Sequence, residues 1–297
     1  MISFQKRLHP PSLPILKRSA LYSISVFNDN GGINAQQANR LNADITSAPY
    51  NSTTYFNGLL DSNESRINGS TVSLVSCSTP SKVYATQTLT DSTPANLATV
   101  GKYSFNVLQS GLDSQSSICI IESDNSDYPI RTTISRIPIT LSPATFNYPN
   151  NNFGRVIAEN VALVLEKEQF ANDCNLPNLT DTSVAYSKAP LGQTSSGSGK
   201  VINPNQCIAY KLKATNRSNL TLDSIIIRDE LQKKTANVPS LGLVLARPNR
   251  VSTDNVGYSD GIAYGSTGII TSNPFALAPK QTKSFYFNTK YGSTQTP

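Results

Sequence analysis

Charged residues are scarce in this sequence, and so are the side chains on which most catalytic and metal sites depend. Only 15% of the 297 residues are charged, and the chain has one His, one Met and no Trp, whereas a typical globular protein is about 25% charged. It also lacks an apolar run of about 18 residues, the length that a transmembrane helix needs. No G-x-S-x-G phrase occurs, and no carboxylate pair stands out for acid and base catalysis. These absences predict a protein that is not an enzyme and has no membrane span.

Small polar residues take the place of the missing charges. The sequence contains 38 Ser, 27 Thr and 29 Asn, close to a third of the chain. These side chains form hydrogen bonds with nearby backbone, so they favour turns, caps and strand faces over helix interiors. The composition therefore predicts an all-β protein of the extracellular or cell-surface type.

Positive charge is concentrated at the start of the chain. The net charge is +6, and it falls to +2 without the four basic residues among the first twenty. Because a nucleic-acid binder gathers its excess Lys and Arg on one face, a nearly neutral body predicts no nucleic-acid partner. Three prolines exclude a regular helix in the same stretch, and we expect residues 1–20 to form an extended basic arm. The basic residues are Lys6, Arg7, Lys17 and Arg18, and the prolines are Pro10, Pro11 and Pro14.

From residue 21 onward, short runs rich in β-branched and aromatic residues alternate with turn residues. Alternation of apolar and polar positions, as in Val72, Ser73 and Leu74, is typical of half-buried strands. The rhythm restarts after 146–156, which indicates two domains. The Asn-rich segment 34–69 has few apolar positions, and we expect a long loop there. The expected strands are 21–27, 70–77, 84–90, 101–108, 116–123 and 132–141, then 161–170, 207–216, 221–231, 241–247 and 283–292.

The four cysteines fall two and two into these halves. None lies in a C-x-x-C phrase, and one His cannot complete a Cys/His zinc set. In a chain of extracellular composition this even number predicts two disulfides, Cys77–Cys119 and Cys174–Cys207. The alternative is a cytosolic protein with buried free thiols at all of these positions.

The first half resembles the B-type, prealbumin-like module of bacterial serine-aspartate-repeat and collagen-adhesin surface proteins. Its opening strand ends in SVFNDNGG (25–32), and a middle strand reads GSTVSL (69–74). A strand of the form G-x-Y-x-F-x-x-L is matched by GKYSFNVL (101–108), and NFGR (152–155) precedes the end of the module. The resemblance covers about 21–157.

The second half is similar to the conserved repeat domain of unknown function in prokaryotic surface and cell-wall proteins. A strand ending in Lys, LVLEK (163–167), precedes VINPNQCIAYKLKATN (201–216). LDSIIIRDEL (222–231) and LAPKQTKSFYF (277–287) match the later strands of the repeat. This resemblance covers 158–297.

Together the resemblances imply an all-β chain of two Ig-like or prealbumin-like β-sandwich domains in tandem, with an extended N-terminal arm. We assign the arm to 1–20, the B-type module to 21–157 and the Ig-like repeat to 158–297. Each domain is expected to bury one face of every strand against the facing sheet.

Two details of the repeat lead to structural expectations. Alternation should turn Tyr210, Leu212 and Ala214 toward the core and Lys211 away from it. The repeat has Gly where Lys280 stands, and a Lys argues against the same left-handed turn at that position.

The turn after the first strand is a candidate Ca²⁺ site. Asp29 and Asn30, with Asp61 further on, offer the hard oxygen ligands that Ca²⁺ prefers, and related modules often bind this ion. Few carboxylates are present and no D-x-D-x-D-G loop occurs, so the alternative is a plain β-turn. We expect no cofactor apart from this candidate.

The resemblance also implies a candidate isopeptide bond. Surface modules of these families form intramolecular Lys–Asn bonds beside a buried carboxylate. Lys167 on the first strand of the second domain and Asn288 on the last are the candidate pair, with Asp229 as the helper. The alternative is that no such bond forms, because a disulfide already locks this domain covalently.

These features predict a non-enzymatic, secreted or surface-exposed bacterial structural protein, a subunit or stalk segment of a fibre. Apolar residues in the arm and the first strand could add a strand to the open sheet of a neighbouring copy. Such head-to-tail addition does not close, so it makes a filament. The alternatives are an arm that is only a linker and an arm that pairs with its own domain. The strand-donor candidates are Leu13, Ile15, Leu16, Tyr22, Ile24 and Val26.

A second function class is a ligand-binding adhesin. It would recognise a host protein or a glycan through the insertion 34–69 or a cleft between the domains. The feature that favours it is the expected exposure of Tyr50, Tyr55 and Phe56.

Overall fold

The computed structural model describes residues 18–34, 36–90, 99–112, 117–142, 144–189, 191, 206–230 and 269–290. The described chain is all-β, with fifteen strands and only short 3-10 turns. This confirms the predicted fold class. Within the described residues no helix is long and apolar enough to cross a membrane.

The chain divides into two compact units that are not contiguous in sequence. Unit 1 comprises Met1–Asn28 and Ser65–Arg155, and unit 2 comprises Asp29–Glu64 and Val156–Pro297. One division falls between Arg155 and Val156. We expected this stretch to be a loop of the first domain. Asp29–Glu64 instead belongs to unit 2, within which its side chains are buried and hydrogen bonded.

Unit 1 contains two four-stranded sheets, with strand orders β4-β1-β8-β6 and β3-β2-β5-β7. Strand β1 pairs antiparallel with β4 and parallel with β8, so it is hydrogen bonded along both sides. The strands are β1 Ser19–Asn28, β2 Thr71–Ser76, β3 Val83–Thr88, β4 Lys102–Leu108, β5 Ser117–Glu122, β6 Ile130–Arg131, β7 Arg136–Thr140 and β8 Asn147–Val156.

Both sheets of unit 1 contribute to one hydrophobic core. In β1 the apolar positions alternate with serines, so Tyr22, Ile24 and Val26 all turn inward. Val72 and Leu74 of β2 meet them from the other sheet. The period of two that marked these segments as strands is therefore the period of burial.

A buried ion pair lies in unit 1. Arg155 of β8 and Glu122 of β5 are almost completely shielded from solvent. The Arg155 Nε donates to Glu122 Oε1 at 2.6 Å, and Nη2 donates to Oε2 at 2.8 Å. Backbone carbonyls of Tyr128 and Ser123 accept the other guanidinium hydrogen bonds, and the Ser70 hydroxyl donates to Glu122. Arg131 Nε also donates to Glu122 Oε2, at 3.3 Å. Each buried charge is thus compensated by hydrogen bonds, which offset the cost of its burial.

Unit 2 is built on a three-stranded sheet, β15-β10-β9, with two-stranded sheets β11-β14 and β12-β13 beside it. The strands are β9 Leu163–Asn172, β10 Cys207–Asn216, β11 Leu222–Ile225, β12 Arg228–Glu230, β13 Ile269–Thr271, β14 Phe275–Leu277 and β15 Thr282–Lys290. The expected alternation holds in β10: Tyr210, Leu212 and Ala214 are buried in the core of the unit, and Lys211 is half-buried on the opposite face.

The strand predictions differ from the structure in several places. β6, β8, β13 and β14 are strands that were not expected. The run 221–231 is two strands separated by Ile226 and Ile227, and 132–141 shortens to β7. The expected strand 241–247 lies outside the described residues.

Candidate functional site

Both predicted disulfides are present. Cys77, directly after β2, is bonded to Cys119 in β5, with 5.0 Å between the Cα atoms. Cys174, in the loop after β9, is bonded to Cys207 at the start of β10, with 4.9 Å between the Cα atoms. Each bond closes a loop within one unit.

The strand-donor hypothesis is wrong for the three candidates in β1. Tyr22, Ile24 and Val26 are at most 2% exposed, and β1 is paired with its own neighbours on both edges. A strand that is central in its own sheet has no free edge and no free apolar face to offer a second copy. The remaining candidates, Leu13, Ile15 and Leu16, lie outside the described residues.

The candidate Ca²⁺ ligands are used as hydrogen-bond acceptors of a turn. The two carboxylate oxygens of Asp29 accept the backbone N–H groups of Asn57 at 3.0 Å and Gly58 at 2.7 Å. Asn30 Oδ1 accepts a backbone N–H two residues on, and Asp61 Oδ2 accepts the Asn57 side-chain amide. In the described part of the chain no group of three or more His, Cys, Asp or Glu is arranged to hold a metal. The oxygen atoms of these residues are thus engaged by hydrogen-bond donors of the turn.

Two of the three isopeptide candidates meet in the structure. Lys167 Nζ lies 2.9 and 2.8 Å from the carboxylate oxygens of Asp229, and 4.4 Å from the centre of the Tyr210 ring. Asn288 does not join them. Lys167 is paired across β10 with Leu212, whereas Asn288 is paired with Ala209.

The register therefore contradicts the Lys167–Asn288 bond. Positions 209 and 212 are an odd number of residues apart, so their side chains, and those of their cross-strand partners, lie on opposite faces of the sheet. Asn288 instead accepts a hydrogen bond from Asn172 at 3.2 Å on its own face. What remains is a partly exposed Lys–Asp pair over a tyrosine ring.

The most elaborate arrangement of functional groups lies in unit 2, where Asp29–Glu64 is bound. Three side chains bind it beside the rings of Tyr50 and Tyr55, and we call these three the clasp: Arg217, Asn219 and Lys280. The expected exposure of the insertion's aromatic residues is wrong. Tyr50 and Tyr55 are 1% and 0% exposed, and the neighbouring Phe56 is 4% exposed. An apolar ring in a polar segment needs a surface to pack on, and unit 2 supplies it.

Arg217, in the turn after β10, is fully buried without a carboxylate among its hydrogen-bond partners. Its guanidinium carbon lies 4.0 Å from the centre of the Tyr50 ring, a cation–π contact. Its guanidinium donates to backbone carbonyls, which fit its fixed fork of donors. The acceptors are Asn39, Asn42, Glu159 and Val161.

Lys280 and Asn219 hold the rest of the insertion. Lys280 Nζ donates to the carbonyls of Tyr50 and Arg217, and it lies 5.5 Å from the centre of the Tyr55 ring. The Asn219 side-chain amide donates to two further carbonyls of the insertion. Lys280 has φ +60°, so the left-handed turn occurs with Lys in place of Gly, and our expectation there was wrong. These side-chain bonds offset the strain that a Cβ adds in this conformation.

Burial shifts the pKa of two ionisable groups, Lys280 and Glu64, that form hydrogen bonds with Asp29–Glu64. Burial, together with the nearby Arg217 charge, lowers the pKa of the Lys280 ammonium to about 8. Burial also raises the pKa of Glu64 to about 7. The backbone amides of Gly31 and Asp61, which donate to Glu64, oppose that rise, and the Asp29 charge adds to it.

The sequence reasoning missed Arg217 altogether. An arginine in a turn between strands is normally solvated, so nothing in the local pattern marks it. The available signal was the other half of the contact, since aromatic residues in a polar segment are more often anchored than exposed.

No protein-family model matches the sequence, and no match was found among curated proteins. Among solved structures, the chain is similar to the full-length RrgB pilus protein from Streptococcus pneumoniae, with a TM-score of 0.31 and 10% sequence identity. The alignment covers 92% of this chain and 45% of that one, so this chain spans less than half the length of the pilus protein. At this identity and TM-score, we infer neither the fold nor the function of this chain from the similarity.

Proposed function

We propose that this chain is a non-enzymatic, extracellular structural protein, a subunit or stalk segment of a bacterial surface fibre. The observation that carries the proposal is one disulfide in each unit. Such bonds form and persist in oxidising surroundings outside the cytoplasm. Since each closes a loop within its own unit, it limits how far that unit can be extended.

The chemistry of the interior supports a structural role. The buried charges of Glu122, Arg155 and Arg217 are all engaged by neighbouring protein groups. Asp29 and Glu64 accept hydrogen bonds from backbone N–H groups within the segment Asp29–Glu64. These groups hold loops and strands in place.

The experiment is to locate the chain in its source cells and to image it. We expect it in the material sheared from the cell surface, with Cys77–Cys119 and Cys174–Cys207 intact in non-reducing peptide mapping and with fibres in negative-stain micrographs. A cytoplasmic marker protein provides the fractionation control. Reduced, monomeric protein in the cytoplasmic fraction would contradict the proposal.

Assembly by strand addition from the arm stays a proposal for residues 1–17 alone. The test should remove no more than these residues, because β1 begins at Ser19 and Ala20 is buried. We expect Leu13→Asp with Ile15→Asp to abolish fibres, since a charged donor cannot occupy an apolar groove. Lys6→Ser with Arg7→Ser is the matched control and should leave fibres intact. Fibres of normal length from the Asp variant would show that the arm is not the donor.

The adhesin alternative has lost the feature that favoured it. Tyr50, Tyr55 and Phe56 are buried within unit 2, so they offer no surface to a glycan or a host protein.

A further inference from the structure

Asp29–Glu64 leaves and re-enters unit 1 at adjacent points. Within unit 1 the Asn28 N–H donates to the Ser65 carbonyl at 2.8 Å, which joins the two ends of the excursion. Asn28 is also paired with Arg155 in the parallel ladder of β1 and β8. The chain therefore passes from one unit to the other three times, at 28–29, 64–65 and 155–156, from one end of β1 and β8.

Within unit 2 the same segment is bound as a peptide ligand would be. The donors are side chains outside the segment, and the acceptors are mostly its backbone carbonyls, while its tyrosine rings fill the space beneath two cations. The donors are Arg217, Asn219 and Lys280, and the acceptors are the carbonyls of Asn39, Asn42, Tyr50, Ser52 and Tyr55.

We propose that Asp29–Glu64 is an intramolecular ligand that couples the stability of unit 2 to that of unit 1. Folded unit 1 holds the ends of the segment together at Asn28 and Ser65, so the segment is presented to the clasp as a closed loop. When unit 1 unfolds, docking the segment must also bring its ends together. For a loop of this length, closure lowers the binding constant by on the order of 100-fold.

The coupling is reciprocal, as linkage requires. A docked segment stabilises the closed stem at Asn28 and Ser65, and a folded stem stabilises docking. Neither unit is then an independent module, although each has its own core and its own disulfide. This inference does not depend on the fibre proposal.

The test is a cycle of two substitutions in the full-length protein, one in each unit. Gly101→Ala weakens unit 1, because Gly101 has φ +58° and a Cβ there would lie 2.7 Å from backbone atoms of Ile67. Arg217→Met removes the central cation of the clasp. Urea midpoints of both units are read separately, from hydrogen exchange of β5 peptides for unit 1 and β10 peptides for unit 2.

We expect Arg217→Met to lower the midpoint of unit 1 when unit 1 unfolds first, because only a unit that unfolds while the other is still folded is stabilised by the coupling. We expect Gly101→Ala to lower the midpoint of unit 2 when it makes unit 1 unfold before unit 2. The unfolding equilibrium constant should change by up to about 100-fold. The shift should vanish in the double variant, because the segment is no longer docked. Arg228→Met, an exposed residue of β12, is the control and should move neither midpoint.

If each substitution shifts only the midpoint of its own unit, the units are independent and the proposal is wrong. The same conclusion follows if Gly101→Ala shifts unit 2 equally with and without Arg217. Should unit 2 fail to fold with Arg217→Met, Arg217→Lys replaces it in the cycle, since it keeps the charge but not the fork of donors.

Discussion

Removing one charge of the Glu122–Arg155 pair should destabilise unit 1 severely. Glu122→Gln keeps the shape of the side chain and leaves the Arg155 guanidinium in a site where it is 0% exposed. The variant retains the carbonyl acceptors of Ser123 and Tyr128, so the loss is mainly that of the compensating charge. Arg155→Met makes the opposite change and leaves Glu122 with the Ser70 hydroxyl and with Arg131, whose Nε donates to Oε2 at 3.3 Å.

The expected loss follows from the burial of both groups. Breaking a buried pair by removing one partner costs about 3–5 kcal/mol, because the other charge stays buried without compensation. Asp124 lies 3.5 Å from Arg155 but is 88% exposed, so it compensates little of the lost charge. We therefore expect Glu122→Gln to lower the free energy of unfolding of unit 1 by about 3 kcal/mol, and Arg155→Met to lower it by about 2 kcal/mol, because Arg131 still compensates the Glu122 charge.

The double variant separates charge pairing from packing. With Glu122→Gln and Arg155→Met together, no unpaired charge remains buried, so the loss should be smaller than the sum of the single losses by about 2 kcal/mol. Exchange of β2 and β5 amides measures the loss, since about 1.4 kcal/mol corresponds to a tenfold change in rate. Lys102→Met, an exposed residue of β4, is the matched control, with an expected change within about 0.5 kcal/mol.

Two results would refute this reasoning. One is a loss below about 1 kcal/mol for either single variant, which is the range of an exposed pair. The other is strict additivity in the double variant, which would show that Glu122 and Arg155 contribute independently.

Three further outcomes are expected. Replacing Cys77 and Cys119 by Ala should lower the free energy of unfolding of unit 1 by about 4 kcal/mol, because the bond spans 42 residues; an unchanged urea midpoint would contradict this. Gly101→Ala alone should lower the midpoint of unit 1 markedly, since its Cβ would meet fixed backbone, and a midpoint within error of wild type would refute it. The stability of unit 2 should pass through a minimum between about pH 7 and 8. Glu64 has its pKa raised from 4.5 to about 7, so its contribution to the stability of unit 2 is present at low pH and is lost as pH rises from about 4.5 to about 7. Lys280 has its pKa lowered from 10.5 to about 8, so the stability of unit 2 increases again as pH rises above about 8. Midpoints from pH 5 to 9.5 should lose the acid limb with Glu64→Gln and the alkaline limb with Lys280→Met; a flat wild-type profile would contradict the assignment.

Alternating burial marks several of the strands that the sequence predicted. Along most of β1, in the first half of β2 and in the middle of β10, every second residue faces a core, so the residue types there follow a period of two. The disulfides were also predictable, because an even number of cysteines fell in pairs into the two halves. In both cases the deciding information lies within a short stretch or in a simple count.

β8 lacked such a signal. Its sequence is rich in Asn, and its first four residues are partly or fully exposed, while Phe153 to Val156 are buried without alternation. What holds it as a strand is parallel pairing with β1, more than a hundred residues earlier in the chain. A parallel partner leaves no local mark, since it requires a crossover rather than a turn.

The clasp was hidden for a related reason. Arg217 binds carbonyls of Asn39 and Asn42, which are 178 and 175 residues away. Every residue has a carbonyl, so an arginine satisfied by backbone has no complementary residue type to reveal it, whereas Arg155 at least has Glu122. A cation bound by carbonyls can be recognised only once the fold has brought those carbonyls together. The sequence thus does not reveal that a charged side chain is buried when its partners are brought to it by contacts between distant parts of the chain.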